Sequence, residues 1–509
     1  MLNEQGIWIG QSSERAAVLL PQMANRHGLI AGATGTGKTV TTRLLAEGFS
    51  ELGIPVFLAD VKGDLSGLAR AGGQSETVSE RARRLGLDPL TPDAYPVTFW
   101  DVYQKTGIPL RATVADVGPI LLARMLDLNE TQAGVLSIAF RIADENGWAL
   151  LDLADLRTML AHVAAERGEI QLRYGNVSPS SVGAIQRRLL QLEDQGGELF
   201  FGEPMLQLED LLATDRDGRG RIHILDAVEL ARQPLLYSTL LLWMLSELYE
   251  NLPEVGDLTK PRLVLFFDEA HLLFTGTDGD LLERITQVIR LIRSKGVGIF
   301  FATQNPRDIP DAVAAQLGNR IQHALRAWTP AEMRAVSAAA DSFRANPAFS
   351  TQEVITTLET GEALISLLDA DGVPTVVERC LVLPPASSLE LLDPQERLRL
   401  VVADPLYDRY ADTIDPESAH EILTARIEEA EAAAAEAEEA AVRQKQEREE
   451  ARLATIEKRE AAREEREARR EKEKKYGWLT RMSNSAVSAI GREIGRNLVR
   501  GVLGGFKKK

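Results

Sequence analysis

Gly32-Ala33-Thr34-Gly35-Thr36-Gly37-Lys38-Thr39 fits the pattern G-x-x-x-x-G-K-[ST] without a mismatch. Before it, His27-Gly28-Leu29-Ile30-Ala31 is short and apolar, which predicts a buried strand. After it, Val40 to Leu52 has helical spacing, with Leu44, Leu45 and Phe49 on one side. Strand, glycine-rich turn and helix together are the setting in which this motif cradles a phosphate chain. Glycines let backbone N–H groups curl round an anion where a Cβ would clash. The helix that follows turns its positive dipole end to the same anion. The expected phosphate-binding stretch therefore runs from Gly32 through Val40. Lys38 is expected at the β- and γ-phosphates and the Thr39 hydroxyl on Mg²⁺.

Outward from this stretch, strand patterns alternate with helical ones. Residues 1–26 are a short lead-in with a candidate hairpin, Gly6 to Gly10 and then Ala16 to Leu20. Ile54 to Ala59 reads as a second strand ending at Asp60. Residues 71–215 read as mainly helical, with helices expected over Thr113 to Leu126, Thr131 to Asn146, Asp152 to Arg167 and Ser180 to Asp194. An insertion of that length suggests a subdomain that carries specificity. Arg221 to Asp226, Arg262 to Phe267, Gly298 to Thr303, Arg320 to Leu325, Glu362 to Leu368 and Thr375 to Val382 read as further strands. The alternation predicts a three-layer α/β fold on a mainly parallel sheet. Its expected divisions are 1–70 and 216–400 for the two parts of the core, with 71–215 inserted between them.

Two carboxylates carry the expected chemistry. Arg262-Leu263-Val264-Leu265-Phe266-Phe267 runs straight into Asp268-Glu269, as a strand buried on both faces does. Asp268 is expected to hold Mg²⁺ through water, and Glu269 to orient and deprotonate a water aimed at the γ-phosphate. Gln304 ends the next strand and is a candidate for touching the γ-phosphate or that water. Phosphoryl transfer also needs positive charge on the developing oxyanion. Arg293, Arg290 and Arg26 are candidates for it, and Asp60 is a candidate supporting acid near the metal.

Composition bounds the rest. Net charge is −17, which argues against loose whole-surface binding to nucleic acid, so any DNA contact needs a local basic lining. The single cysteine, Cys380, excludes an internal disulfide framework and fits a reducing, cytoplasmic setting. No signal peptide and no apolar run long enough to span a bilayer is expected. Beyond Pro416 the composition changes. Residues 421–475 are almost all Ala, Glu, Lys and Arg, a lone charged helix or a coiled-coil stalk. The tail, Tyr476 to Lys509, sets seven basic residues against Glu493 alone, with Ile490, Ile494, Leu498 and Val502 at helical spacing. Such a helix suits an anionic membrane surface, DNA or an acidic partner groove.

The phosphate loop, Phe266 to His271 (FFDEAH) and Arg293 to Pro306 (RSKGVGIFFATQNP) resemble the HerA/FtsK superfamily of P-loop ATPases, and most narrowly the bacterial HerA-like proteins. Leu128 to Gln132, Ser181 to Leu189 and Gly491 to Gly505 fit that group too. The resemblance implies a RecA-like core with central strand order 5-1-4-3-2 and a ring-shaped hexamer with ATP at its subunit interfaces. By motif match it implies Lys38 and Thr39 in the phosphate loop, Asp268 and Glu269 as the Walker B pair, and Gln304 as sensor. Arg293 matches an arginine supplied in trans, and Arg26 and Asp60 match supporting positions. Better-known relatives pump or unwind double-stranded DNA, some with a nuclease that docks on a β-barrel before the phosphate loop. Only 31 residues precede Gly32, too few for that barrel, so the nuclease partnership is not expected. A motor ATPase on double-stranded DNA is one expectation. A membrane- or partner-associated assembly ATPase working through its stalk and tail is another. Glu269 speaks against a third, a nucleotide-binding regulator that does not hydrolyse.

Overall fold

The structure, a computed structural model, describes residues 2–73, 76–87, 91–256, 258–274 and 279–487, and of residues 77, 280 and 478–487 the backbone only. It separates into two units, residues 1–424 and 425–509.

The first unit is built on one twelve-stranded sheet. Its strands are β1 (Ile7–Gln11), β2 (Ala16–Leu19), β3 (Gly28–Ala31), β4 (Val56–Asp60), β5 (Val97–Asp101), β6 (Ile108–Pro109), β7 (Ile222–Asp226), β8 (Leu263–Phe267), β9 (Val297–Thr303), β10 (Asn319–Gln322), β11 (Glu362–Ser366) and β12 (Glu378–Val382). Their spatial order is β2-β1-β12-β11-β10-β3-β9-β8-β4-β7-β5-β6. From β10 to β4 every neighbouring pair is parallel. Counted from the phosphate-loop strand, those five strands stand in the order 5-1-4-3-2, the RecA-like arrangement that the resemblance implies. β3, β4, β8 and β9 are buried along their whole length, which is why they read as unbroken apolar runs.

Antiparallel strands finish one side, where the expected lead-in hairpin β1–β2 joins β12. On the other side the structure departs from the sequence reading. Residues 71–215 are mainly helical, with helices Val114–Met125, Glu130–Asn146, Leu153–Ala165 and Pro179–Asp194 close to the expected bounds. The same stretch also supplies β5 and β6, which extend the core sheet in parallel beyond β7. Val97-Thr98-Phe99-Trp100-Asp101 is only five residues long, and too brief to show a period against its helical surroundings.

The helix Lys38–Glu51 lies against β1, β3 and β4. Its Phe49 ring meets Phe266 of β8 and Phe300 of β9 at centroid separations of 6.2 and 6.0 Å, and those two rings stack at 5.1 Å. Three elements that each deliver part of the site thus share one aromatic cluster. Phe49→Ala or Phe300→Ala would cost about 3–5 kcal/mol.

In the second unit the described residues continue a single helix, Ala419–Val487, as the charged composition predicts. Residues 425–476 are exposed throughout. Pairs such as Arg443–Glu439 (3.3 Å) and Arg463–Glu467 (3.3 Å) decorate it, each worth about 0.3–0.5 kcal/mol. Of the basic tail, residues 488–509 fall outside the described residues. Among the described residues no helix is long and apolar enough to cross a membrane.

Candidate active site

Four strands end at one edge of the sheet, and the candidate residues sit on those ends. Ala59 lies opposite Phe267 in the β4–β8 register, so Asp60 and Asp268 emerge side by side. Ala31 lies opposite Thr303, so Gly32 emerges beside Gln304. The Gly32 N–H donates to Thr303 O (3.2 Å), and Ala270 N–H donates to Ala302 O (3.0 Å). The loop and the acidic turn are therefore both anchored on β9.

The loop is wound as a phosphate cradle. Gly32, Gly35 and Gly37 have φ of +156°, +76° and +117°, in the region open to glycine. A Cβ on Gly32 would meet that of His323 at 2.6 Å, so the loop lies close against the chain that follows β10. Thr36 Oγ1 donates to Ala33 O (2.8 Å), closing the turn. Lys38 crosses it, donating to Gly32 O (2.5 Å) and Ala33 O (3.1 Å). Gly37 caps the helix Lys38–Glu51 without a side-chain hydrogen bond, which leaves the first-turn N–H groups through Val40 to an outside anion. The chemistry of this donor set fits a polyphosphate.

Opposite stands Glu269, 6% exposed and held at φ +46°, unusual for a non-glycine residue. Its Oε1 accepts from Gln304 Nε2 (2.7 Å), and Thr34 Oγ1 donates to Gln304 Oε1 (3.1 Å). Gln304 thereby links the phosphate loop to the acid in a single bridge. Glu269 Oε2 is buried without a hydrogen-bond partner, with His271 Nδ1 3.5 Å away. An orphaned buried carboxylate oxygen is costly to keep and marks a place where something else binds. Burial pushes Glu269 up in pKa, yet the Gln304 hydrogen bond and the Lys62 charge hold it below the usual range. Asp268 beside it is pushed up by burial, partly offset by Lys62. Burial and the Lys62 charge lower Lys38.

Other candidates are placed differently. Asp60 is buried, with its pKa pushed up to about 6 by burial. Its oxygens accept from the N–H groups of Gly63 (2.8 Å), Asp64 (3.2 Å) and Leu65 (2.9 Å), so it organises the turn after β4. Asp64 is the carboxylate beside the Thr39 hydroxyl, at 3.2 Å. Arg26 and Arg293 stand before β3 and β9, at the opposite edge of the sheet from the loop. Seven residues of β9 separate Arg293 from Gln304, roughly 20 Å. Arg293 is exposed, and a Cβ on Gly372 would meet the Arg26 guanidinium at 2.5 Å. Neither reaches the phosphate loop of its own chain.

Sequence reading missed Lys62, Asp64 and His323. His323 is buried under the loop, with Nδ1 3.0 Å from Glu362 O and Nε2 2.9 Å from Thr41 Oγ1. Burial lowers its pKa to about 4, so it is a neutral prop. Lys62-Gly63-Asp64 lies two residues beyond the expected strand's end at Asp60, and that position was the available signal.

A parallel 5-1-4-3-2 sheet with a phosphate loop on its first strand and an acidic pair on its third defines the RecA-like P-loop ATPase class. The helicase HerA-like C-terminal family matches residues 7–509, and the chain belongs to that family. The bacterial conjugative coupling protein TrwB, in an unbound form, superposes with a TM-score of 0.50 at 14% identity, over 77% of this chain and 93% of that one. TrwB in complex with ADP and Mg²⁺ gives a TM-score of 0.50 at 14% identity, over 78% and 92%. No curated protein matches the chain.

Proposed function

We propose that this chain is an ATP- and Mg²⁺-dependent motor ATPase, working as a ring, expected to be a hexamer, that translocates on or remodels double-stranded DNA. The observation that carries hydrolysis is the bridge Thr34–Gln304–Glu269, which ties a buried, partly unpaired carboxylate to the phosphate loop. Lys38 and the loop amides bind and orient the phosphates. Thr39 and Asp268 would hold Mg²⁺, with Asp64 next to Thr39. When bound, the metal supplies charge neutralisation at the phosphates. Glu269 takes the proton of the attacking water. Gln304 reports to the loop whether the acid is engaged.

The position of Arg293 favours a shared site. An arginine that is exposed and remote from its own nucleotide can serve that of a neighbouring copy. Mixing Lys38→Ala subunits, which keep Arg293, with Arg293→Ala subunits, which keep their own loop, restores hydrolysis if the finger acts in trans. A mixture as inactive as its parts removes support for the ring.

The deciding experiment is the ATPase rate with and without duplex DNA on protein of determined mass. We expect stimulation by DNA, and no turnover in Lys38→Ala. A second reading is a cytoplasmic assembly ATPase that acts on a protein partner or at an anionic membrane surface. It is favoured by the exposed helix over residues 425–476 and the basic stretch 476–509. Stimulation by anionic vesicles and not by DNA would select it.

A further inference from the structure

We propose that Lys62 is a second phosphate-binding lysine, which exchanges its carboxylate partners for the terminal phosphate of a nucleoside triphosphate and so lets the site distinguish triphosphate from diphosphate. This rests on the ATPase reading above.

The turn that carries Lys62 is built for placement. Asp60 accepts three backbone N–H groups from Gly63 to Leu65, and Gly63 adopts φ +71°. Arg43, buried in the helix after the phosphate loop, donates to Asp64 O at 2.5 Å. The turn is thus pinned from its own strand and from the phosphate-loop helix. It projects two side chains toward the phosphate loop. Asp64 meets Thr39, and Lys62 Nζ stands 3.2 Å from Glu269 Oε1 and 3.5 Å from Asp268 Oδ2.

Those two partners are the groups that hydrolysis needs for other work. Asp268 is wanted by a metal ion, and Glu269 by a water. While an ammonium sits 3.2 Å from Oε1, that oxygen is occupied and is not open to a water. Asp268 would give up the Lys62 ammonium on holding a metal ion, since two cations at one carboxylate repel. The lysine is only partly exposed and its turn is fixed, so leaving its carboxylates without a new anion is costly. The anion within reach is the terminal phosphate, bounded by Lys38, Gln304 and the acidic pair. A diphosphate offers no such group. Charge balance agrees. Asp64, Asp268 and Glu269 put three carboxylates in the site, and Lys38 alone is a weak welcome for a polyanion.

The test uses the full chain, with Lys62→Met removing the charge at similar length and Lys62→Arg restoring it. Equilibrium affinities for ADP and for a non-hydrolysable ATP analogue, both with Mg²⁺, are read by displacement of a fluorescent nucleotide. Thermal unfolding without nucleotide is recorded in parallel. We expect Lys62→Met to weaken the analogue about tenfold or more, as loss of a charge-assisted bond does, with ADP within about twofold. Lys62→Arg is expected to recover most of the difference. Equal losses for both nucleotides, or no loss for either, overturn the proposal. Equal losses accompanied by a lowered unfolding temperature assign Lys62 to structure alone. Wild-type protein that binds neither nucleotide overturns the ATPase reading, and with it this one.

Discussion

The two edges of the parallel sheet treat buried polar groups in opposite ways. At the edge where β3, β9 and β10 begin, the buried His27 and Asn319 are matched. His27 Nδ1 accepts from Ile299 N–H (3.0 Å) while Nε2 faces Ile289 O at 2.7 Å. Asn319 Nδ2 donates to Met23 O (3.0 Å) and His27 O (2.9 Å), and its Oδ1 accepts from Leu368 N–H (3.1 Å). At the edge where those strands end, Glu269 keeps an oxygen unpaired, and the phosphate-loop helix lacks a side-chain cap. Two partly buried lysines, Lys38 and Lys62, also repel each other there. Matched polar groups hold a fold together. Unmatched ones persist where a ligand completes them.

Mutations sharpen this contrast by separating activity from stability. The largest effect is expected at the open edge. Glu269→Gln keeps shape and the Gln304 contact but cannot take a proton, so ATP binding stays while turnover falls about 100-fold or more, read in single-turnover assays. Stability there should fall only slightly, through loss of the charge that Gln304 and Lys62 favour. A variant that turns over normally removes Glu269 from the chemistry. At the matched edge, Asn319→Ala strands the Met23 carbonyl and the Leu368 N–H, while His27 O keeps the backbone N–H of Asn319, and should cost about 2–4 kcal/mol in denaturant unfolding. A cost below about 0.5 kcal/mol would break the comparison.

The smallest expected effect is a pH dependence. Burial, aided by the Arg293 charge, lowers the pKa of His27 from 6.5 to about 4. In that window the unfolded chain binds a proton that the folded chain refuses, so stability from this group is present above pH 6.5 and is lost as pH falls toward 4. His27→Asn, which tolerates positive φ, should therefore be less stable than wild type at about pH 7. The gap should shrink by about 2 kcal/mol at about pH 5. A gap independent of pH would mean that the histidine is not held neutral.

Much of this was legible in the residues. The eight-residue loop, the strand that ends in Asp268-Glu269, and the strand that ends in Gln304 each carry a local pattern, because a phosphate turn and a doubly buried strand leave marks within a few residues. The same holds for the four long helices between residues 113 and 194 and for the charged helix after Pro416. β5 and β6 were not legible, since five residues beside a helical insertion show no period of their own. Asp60 and Asp64 show a different limit. Both are acids at the end of one strand, and spacing alone cannot say which one turns inward to organise the loop.

The sequence by itself determined the layered fold, the glycine-rich turn after β3 and the acidic pair at the end of β8, because each depends on neighbours within about a turn of chain. Only the tertiary structure decided who meets whom across the sheet. Gln304 joins Thr34 to Glu269, Lys62 lies on both acids, and the two arginines stand at the far edge. These contacts join residues tens to hundreds of positions apart, and strand register brings them together or keeps them apart.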